Sequence, residues 1–128
     1  LAVHPTEANM VAAGTANGLY LSRNAGQDFE PVVTGQQVLS TAFDLDGKQL
    51  WFGTYVGKAA LMRLALADGS KPQAIAIPAL TDDAIAYIAQ NPARPGEMAI
   101  ASFKRNVFLS SDQGRNWKQI ARNGDTRE

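Results

Sequence analysis

Ser110-Ser111-Asp112-Gln113-Gly114-Arg115-Asn116-Trp117 closes a short apolar run near the end of the chain, and the same run and turn occur twice before it. The earlier counterparts are Ser22-Arg23-Asn24-Ala25-Gly26-Gln27-Asp28-Phe29 and Ala65-Leu66-Ala67-Asp68-Gly69-Ser70-Lys71-Pro72. Their glycines, Gly26, Gly69 and Gly114, are separated by 43 and 45 residues. Three residues beyond each Phe29, Pro72 and Trp117 stands a β-branched residue: Val32, Ile75 and Ile120. A spacing kept through three copies marks one structural unit, repeated.

Upstream of each turn lie two apolar runs of about five residues, too short for helices and bounded by Gly, Asn, Asp and Pro. The first unit reads Met10-Val11-Ala12-Ala13-Gly14-Thr15, then a tight Asn17-Gly18 turn, then Leu19-Tyr20-Leu21-Ser22. Asn and Gly both tolerate the positive φ that such a hairpin turn needs. The pattern returns as Leu50-Trp51-Phe52-Gly53-Thr54 with Ala60-Leu61-Met62-Arg63-Leu64, and as Met98-Ala99-Ile100-Ala101-Ser102 with Val107-Phe108-Leu109-Ser110. A second marker agrees: His4-Pro5 and Asn91-Pro92 lie 87 residues apart, two periods. Four strands per unit follow, A to D. They are predicted at residues 1–4, 10–15, 19–23 and 28–33; at 38–43, 49–54, 60–66 and 73–78; and at 84–90, 97–102, 107–111 and 116–121. Residues 59–67 and 82–90 are Ala-rich enough for helix, but the repeat register assigns them to strands. A period of 40 to 45 residues with four short strands is that of an all-β β-propeller built from antiparallel blades. The blades expected are 1–35, 36–79 and 80–128.

Composition removes several function classes. The 12 Lys and Arg balance the 12 Asp and Glu, so no diffuse basic field attracts nucleic acid or an anionic membrane surface. With no Cys and one His, disulfides, thiolate zinc sites and cysteine nucleophiles are excluded; no metal or cofactor is assigned. No apolar run approaches the roughly 20 residues of a membrane-spanning helix. Leu1-Ala2-Val3-His4-Pro5 lacks the basic start of a signal peptide.

The turn Ser110 to Trp117 resembles the Asp-box, or BNR repeat, of pattern Ser-x-Asp-x-Gly-x-Thr-Trp, departing from it only at Asn116. The copy at Ser22, Asn24, Gly26 and Phe29 is looser, with Asn24 for Asp and Asp28 for Thr; the middle unit keeps only Gly69. The chain is thus similar to the broad sialidase-like, BNR-containing propeller superfamily, which includes sialidases, xyloglucan-type hydrolases, sortilin-type receptors and photosystem assembly factors. The resemblance implies that Ser110, Asp112, Gly114 and Trp117 are structural, on C to D turns away from the ligand face. It also implies an extracytoplasmic setting. A short acceptor side chain at the third position satisfies backbone N–H groups of its own turn, and the glycine takes a φ that other residues resist.

A sialidase-like active site needs an arginine triad, a Tyr and Glu nucleophile pair and an Asp acid; none of these stands in a matching context, so no catalytic residue is assigned. Candidate ligand contacts come instead from the B to C and D to A turns, which propellers turn toward one face. They are Tyr55, Lys58, Asp82, Asp83, Phe103, Lys104 and Arg105. Aromatic and cationic groups together suit an acidic or sugar-like partner. Asp82 and Asp83 are expected as solvated turn residues, and could otherwise form half of a general acid and base pair. His4 is expected as a turn residue rather than a ligand.

Three blades fill part of a ring that typically has 4 to 8. The terminal faces, expected to carry Val3, Val11, Ile100 and Phe108, therefore call for further blades, either in a longer chain or by self-association into a six-bladed ring. Two functions are open: a noncatalytic scaffold or binding platform for a protein or carbohydrate ligand, and a carbohydrate-active hydrolase with catalytic residues partly outside this chain.

Overall fold

The computed structural model describes residues 1–67 and 70–126. Gly69, the middle unit's repeat glycine, lies outside them. The described residues form strands and turns with no helix. In chain order the strands are β1 (Ala2–Val3), β2 (Val11–Thr15), β3 (Gly18–Ser22) and β4 (Glu30–Thr34); β5 (Gln37–Phe43), β6 (Gln49–Tyr55), β7 (Ala59–Ala65) and β8 (Gln73–Ile75); then β9 (Ile85–Gln90), β10 (Met98–Ser102), β11 (Val107–Ser110), β12 (Lys118–Arg122) and β13 (Asp125–Thr126). They make three antiparallel sheets in simple sequential order, β1 to β4, β5 to β8 and β9 to β13. This is a partial β-propeller of three blades. The last blade carries a fifth strand, β13, that the repeat did not foretell.

The fourth strands start later than predicted, at Glu30 and Lys118. The reason is local: the N–H groups of Asp28 and Asn116 are held by Asn24 Oδ1 and Asp112 Oδ1, at 2.8 and 2.9 Å, before the ladder begins. β8 stops at Ile75 rather than Pro78, because Ile77 and Leu80 leave the sheet to pack on the second core.

Strand alternation gives every blade a front face toward the next blade and a back face toward the one before. Ala12, Leu19 and Leu21 on the front of blade 1 pack with Leu50, Phe52 and Leu64 on the back of blade 2. Trp51 and Leu61 on the front of blade 2 pack with Met98, Ile100 and Phe108 on the back of blade 3. Ile100 and Phe108 were expected on an open terminal face, and this is corrected: at 1% and 4% exposure they are core of the joint. The open front of blade 3 carries the opposite parity, Ala99, Ala101, Val107 and Leu109, paired across β10 and β11. The open back of blade 1 carries Val3, Val11, Ala13 and Tyr20. Gly14 and Gly53 mark where the next inner strand crosses closely. A Cβ on Gly14 would stand 2.7 Å from Val38 O, and one on Gly53 would stand 3.0 Å from Ile85 Cβ.

At the hub, each A to B turn closes with one equivalent backbone bond: His4 N to Met10 O, Asp44 N to Gln49 O and Asn91 N to Glu97 O. Side chains then link the blades. His4 accepts the N–H groups of Thr6 and Glu7 at Nδ1, so Nε2 carries the hydrogen it donates to Gly47 O at 2.7 Å. The Gln90 amide donates to Phe43 O at 2.6 Å and accepts from Leu45 N at 3.2 Å. His4 is therefore a buried tie between two blades, which its place before a proline did not reveal.

Candidate functional site

The B to C turns and the D to A connections lie at one end of the strands, and there the structure forms a groove of about 320 Å³. Its lining includes five of the seven residues singled out in the sequence: Tyr55, Asp82, Asp83, Phe103 and Lys104; Gln37, Leu39 and Ala84 complete it. Leu39 is the bulged residue of β5, and it lines the groove. Phe103 stands 61% exposed on the rim.

The other two residues go elsewhere. Lys58 is exposed at the tip of the β6 to β7 hairpin, where its carbonyl accepts the Val56 N–H at 3.2 Å. Arg105 lies across Gly124, its Cζ 3.5 Å from where a Cβ on that glycine would be.

Asp82 is exposed, as expected. Asp83 is not: it is 5% exposed, and the description of it as a solvated turn residue is corrected. Its Oδ1 accepts the N–H groups of Ala84 at 2.9 Å and Lys104 at 3.0 Å, and its Oδ2 accepts the Asn106 amide at 3.2 Å. Burial pushes its carboxyl up, but the Ser102 hydroxyl and these three donors outweigh burial and hold it below the ordinary 3.8. A carboxylate whose lone pairs are occupied in this way is an anchor; it is poorly suited to giving a proton to a substrate. What it anchors is the Phe103 to Asn106 turn, whose Phe103 N–H also donates to Ala84 O at 3.1 Å. The backbone around the groove is strained at Asp82, φ 51°, and Arg105, φ 63°, a conformation non-glycine residues avoid.

At the opposite end the two eight-residue turns repeat one another closely. Ser22 Oγ donates to Asn24 Oδ1 at 2.9 Å and accepts Gly26 N at 2.9 Å; Ser110 Oγ donates to Asp112 Oδ1 at 2.8 Å and accepts Gly114 N at 2.8 Å. Asn24 Nδ2 donates to Asp28 Oδ2 at 2.9 Å, whereas Asn116 Nδ2 donates to Asp112 Oδ2 at 2.6 Å. The amide and the carboxylate have exchanged places. Asp112, bound by the Asn116 amide and N–H and by Ser110, is lowered to about 2. Ala25 and Gln113 also take positive φ, which their residue types did not signal.

That end has its own cavity, about 350 Å³, lined by Asp44, Asp46, Gln90, Glu97 and Gln113 among others. Sequence reasoning passed over Asp44, a buried carboxylate that accepts from Gln113 Nε2 at 2.7 Å. The signal was available, because Asp44 directly follows its A strand as His4 and Asn91 follow theirs. Among the described residues no group of three His, Cys, Asp or Glu side chains converges as a metal site would require.

No family model matches the chain, and no curated protein is similar enough to match. Solved structures do match in fold. YCF48 bound to D1 peptide is 16% identical, with a TM-score of 0.69 over 93% of this chain. YCF48 from Cyanidioschyzon merolae is likewise 16% identical, with a TM-score of 0.70 over 94% of the chain. The GH74 enzyme of Niastella koreensis is 17% identical, with a TM-score of 0.68 over 92%. The chain spans 38% of either YCF48 chain and 21% of the GH74 chain. The propeller fold is shared with both kinds of protein, at an identity that speaks for the fold alone.

Proposed function

We propose that this chain is a noncatalytic arc of a propeller of the BNR, or Asp-box, type, and that its groove is a binding platform for a polypeptide segment. One observation carries the reading. Leu39, Tyr55 and Phe103 line the groove together with Lys104, and Phe103 and Lys104 stand on a turn that Asp83 locks in advance of any ligand. A preformed groove with few convergent polar groups is the usual form of a binding site, and locking it beforehand lowers the ordering cost of association. A YCF48 propeller of the same fold is solved with a peptide bound, which supports a peptide as the ligand class. In both eight-residue turns the serine and the third residue bond to one another and to backbone N–H groups of their own turn, in keeping with the structural role the Asp-box resemblance implies.

The second reading, a carbohydrate-active hydrolase completed by residues outside this chain, draws on the GH74 likeness and on the exposed Phe103 ring, which would suit a sugar face. Panning a random decapeptide library on the wild-type chain and on Phe103→Ala/Lys104→Ala separates the two. Peptides that bind the wild type and lose binding to the double variant are expected. Enrichment that is equal on both proteins would sink the platform, and retention of an oligosaccharide in place of peptides would favour the hydrolase reading.

A further inference from the structure

The residue directly after the inner strand organises the turn that follows, and blades 1 and 3 do this in the same way. In blade 3 it is Asn91, whose Oδ1 accepts the Ala93 N–H at 2.9 Å. In blade 1 it is His4, whose Nδ1 accepts the N–H of Thr6, also two residues on, at 3.2 Å, and that of Glu7 at 3.0 Å. The asparagine oxygen is an acceptor at every pH. An imidazole nitrogen is one only while it carries no hydrogen.

A second proton on the ring has no good place in this arrangement. On Nδ1 it would point at two N–H groups; the one oxygen near that nitrogen, Thr6 Oγ1 at 3.4 Å, is too distant to repay both lost bonds. The ring must then leave its seat, and Nε2 gives up Gly47 O, 2.7 Å away, together with the edge contact to Phe43 at 5.2 Å between centroids. That seat is close, since a Cβ on Gly47 would stand 2.6 Å from His4 Cε1. The charged groups on the segments around the ring are Glu7 on its own turn and Asp44, Asp46 and Lys48 on the β5 to β6 loop. Among the described residues none of these side chains hydrogen-bonds to the ring, and the three carboxylates attract an imidazolium that has swung clear.

We propose that His4 is a proton-operated latch of blade 1: as the neutral ring it closes the β1 to β2 turn and fastens it to blade 2, and as imidazolium it releases both. Because the tied ring takes no second proton, acid favours whichever state has the tie open. The latch therefore loosens as pH falls through the range in which histidines titrate. The Asp83 carboxylate acts below about pH 4, so the two effects are separate in pH.

Nitrogen-15 spectra of the histidine ring, recorded from about pH 8 to about pH 5, read its tautomer and charge, while amide hydrogen exchange reads the turn. At the alkaline end Nε2 should carry the ring's one N–H hydrogen. As the ring gains its second, the protection of the Thr6 and Glu7 amides should fall at least about tenfold. His4→Asn copies the turn at Asn91, so its Thr6 amide should keep a protection that does not change over this range. A ring that gains its proton while both amides stay protected would overturn the proposal, as would a ring that stays neutral throughout or carries its hydrogen on Nδ1 at the alkaline end. So would an equal loss of protection with acid in His4→Asn. Should that variant not fold, the wild-type titration decides alone.

Discussion

The backbone N–H of Lys104 donates to Asp83 Oδ1 at 3.0 Å across 21 residues of chain, tying the turn that carries Phe103 to the connection entering the third blade. Asp83→Asn keeps the shape but turns an amide N–H toward the Asn106 Nδ2 that now donates to it. We expect a loss of about 1 to 3 kcal/mol in urea unfolding, from one buried donor left without an acceptor, together with faster hydrogen exchange at Lys104. Unchanged exchange at Lys104 would show that the turn holds itself.

The same carboxylate sets an acid dependence. Its folded pKa lies below its unfolded value, so its contribution is complete above about pH 4 and is lost as pH falls through the folded value. Wild-type urea midpoints should therefore drop below pH 4, and Asp83→Asn should flatten part of that drop. An acid limb of equal slope in both proteins would contradict the assignment.

Asp112 and Asn116 mirror Asn24 and Asp28 with amide and carboxylate exchanged. Asp112→Asn should lower the melting temperature by facing two amides. The double change Asp112→Asn/Asn116→Asp, which copies the first unit, should restore most of the loss. Failure of the double variant to recover would mean that the two turns are not interchangeable.

Trp117 and Phe29 occupy the same place in their turns but not in the molecule. Trp117 packs on the second core beside Gly114, and Phe29 is 40% exposed. Trp117→Ala should cost roughly 3 kcal/mol and Phe29→Ala under about 1. Equal costs in denaturant unfolding would remove the joint from the explanation.

The repeat itself was legible because its signals are local: Gly26 and Gly114 need a particular φ, and the flanking runs alternate with a period of two. Which face of a strand meets which neighbour was not legible. Ile100 and Ala99 are both apolar enough for a joint, and only the assembled blades show that Ile100 points back and Ala99 forward. Turn topology assigned Tyr55, Asp82, Asp83, Phe103 and Lys104 to one end of the strands, and in the structure these five line one groove. Yet Asp83 looked solvated, because two of the groups that bury it, Lys104 N and Asn106, come from a turn some twenty residues on. His4 misled for the same reason, its acceptor being Gly47 O, 43 residues away.

The hub ties described above run in opposite directions. His4 reaches forward from blade 1, Gln90 reaches back from blade 3, and both end on residues 43–47 of blade 2. A pull applied at the two chain ends converges on that five-residue loop, the keystone of the arc. Opening of that loop would release the ties of both outer blades in the same event.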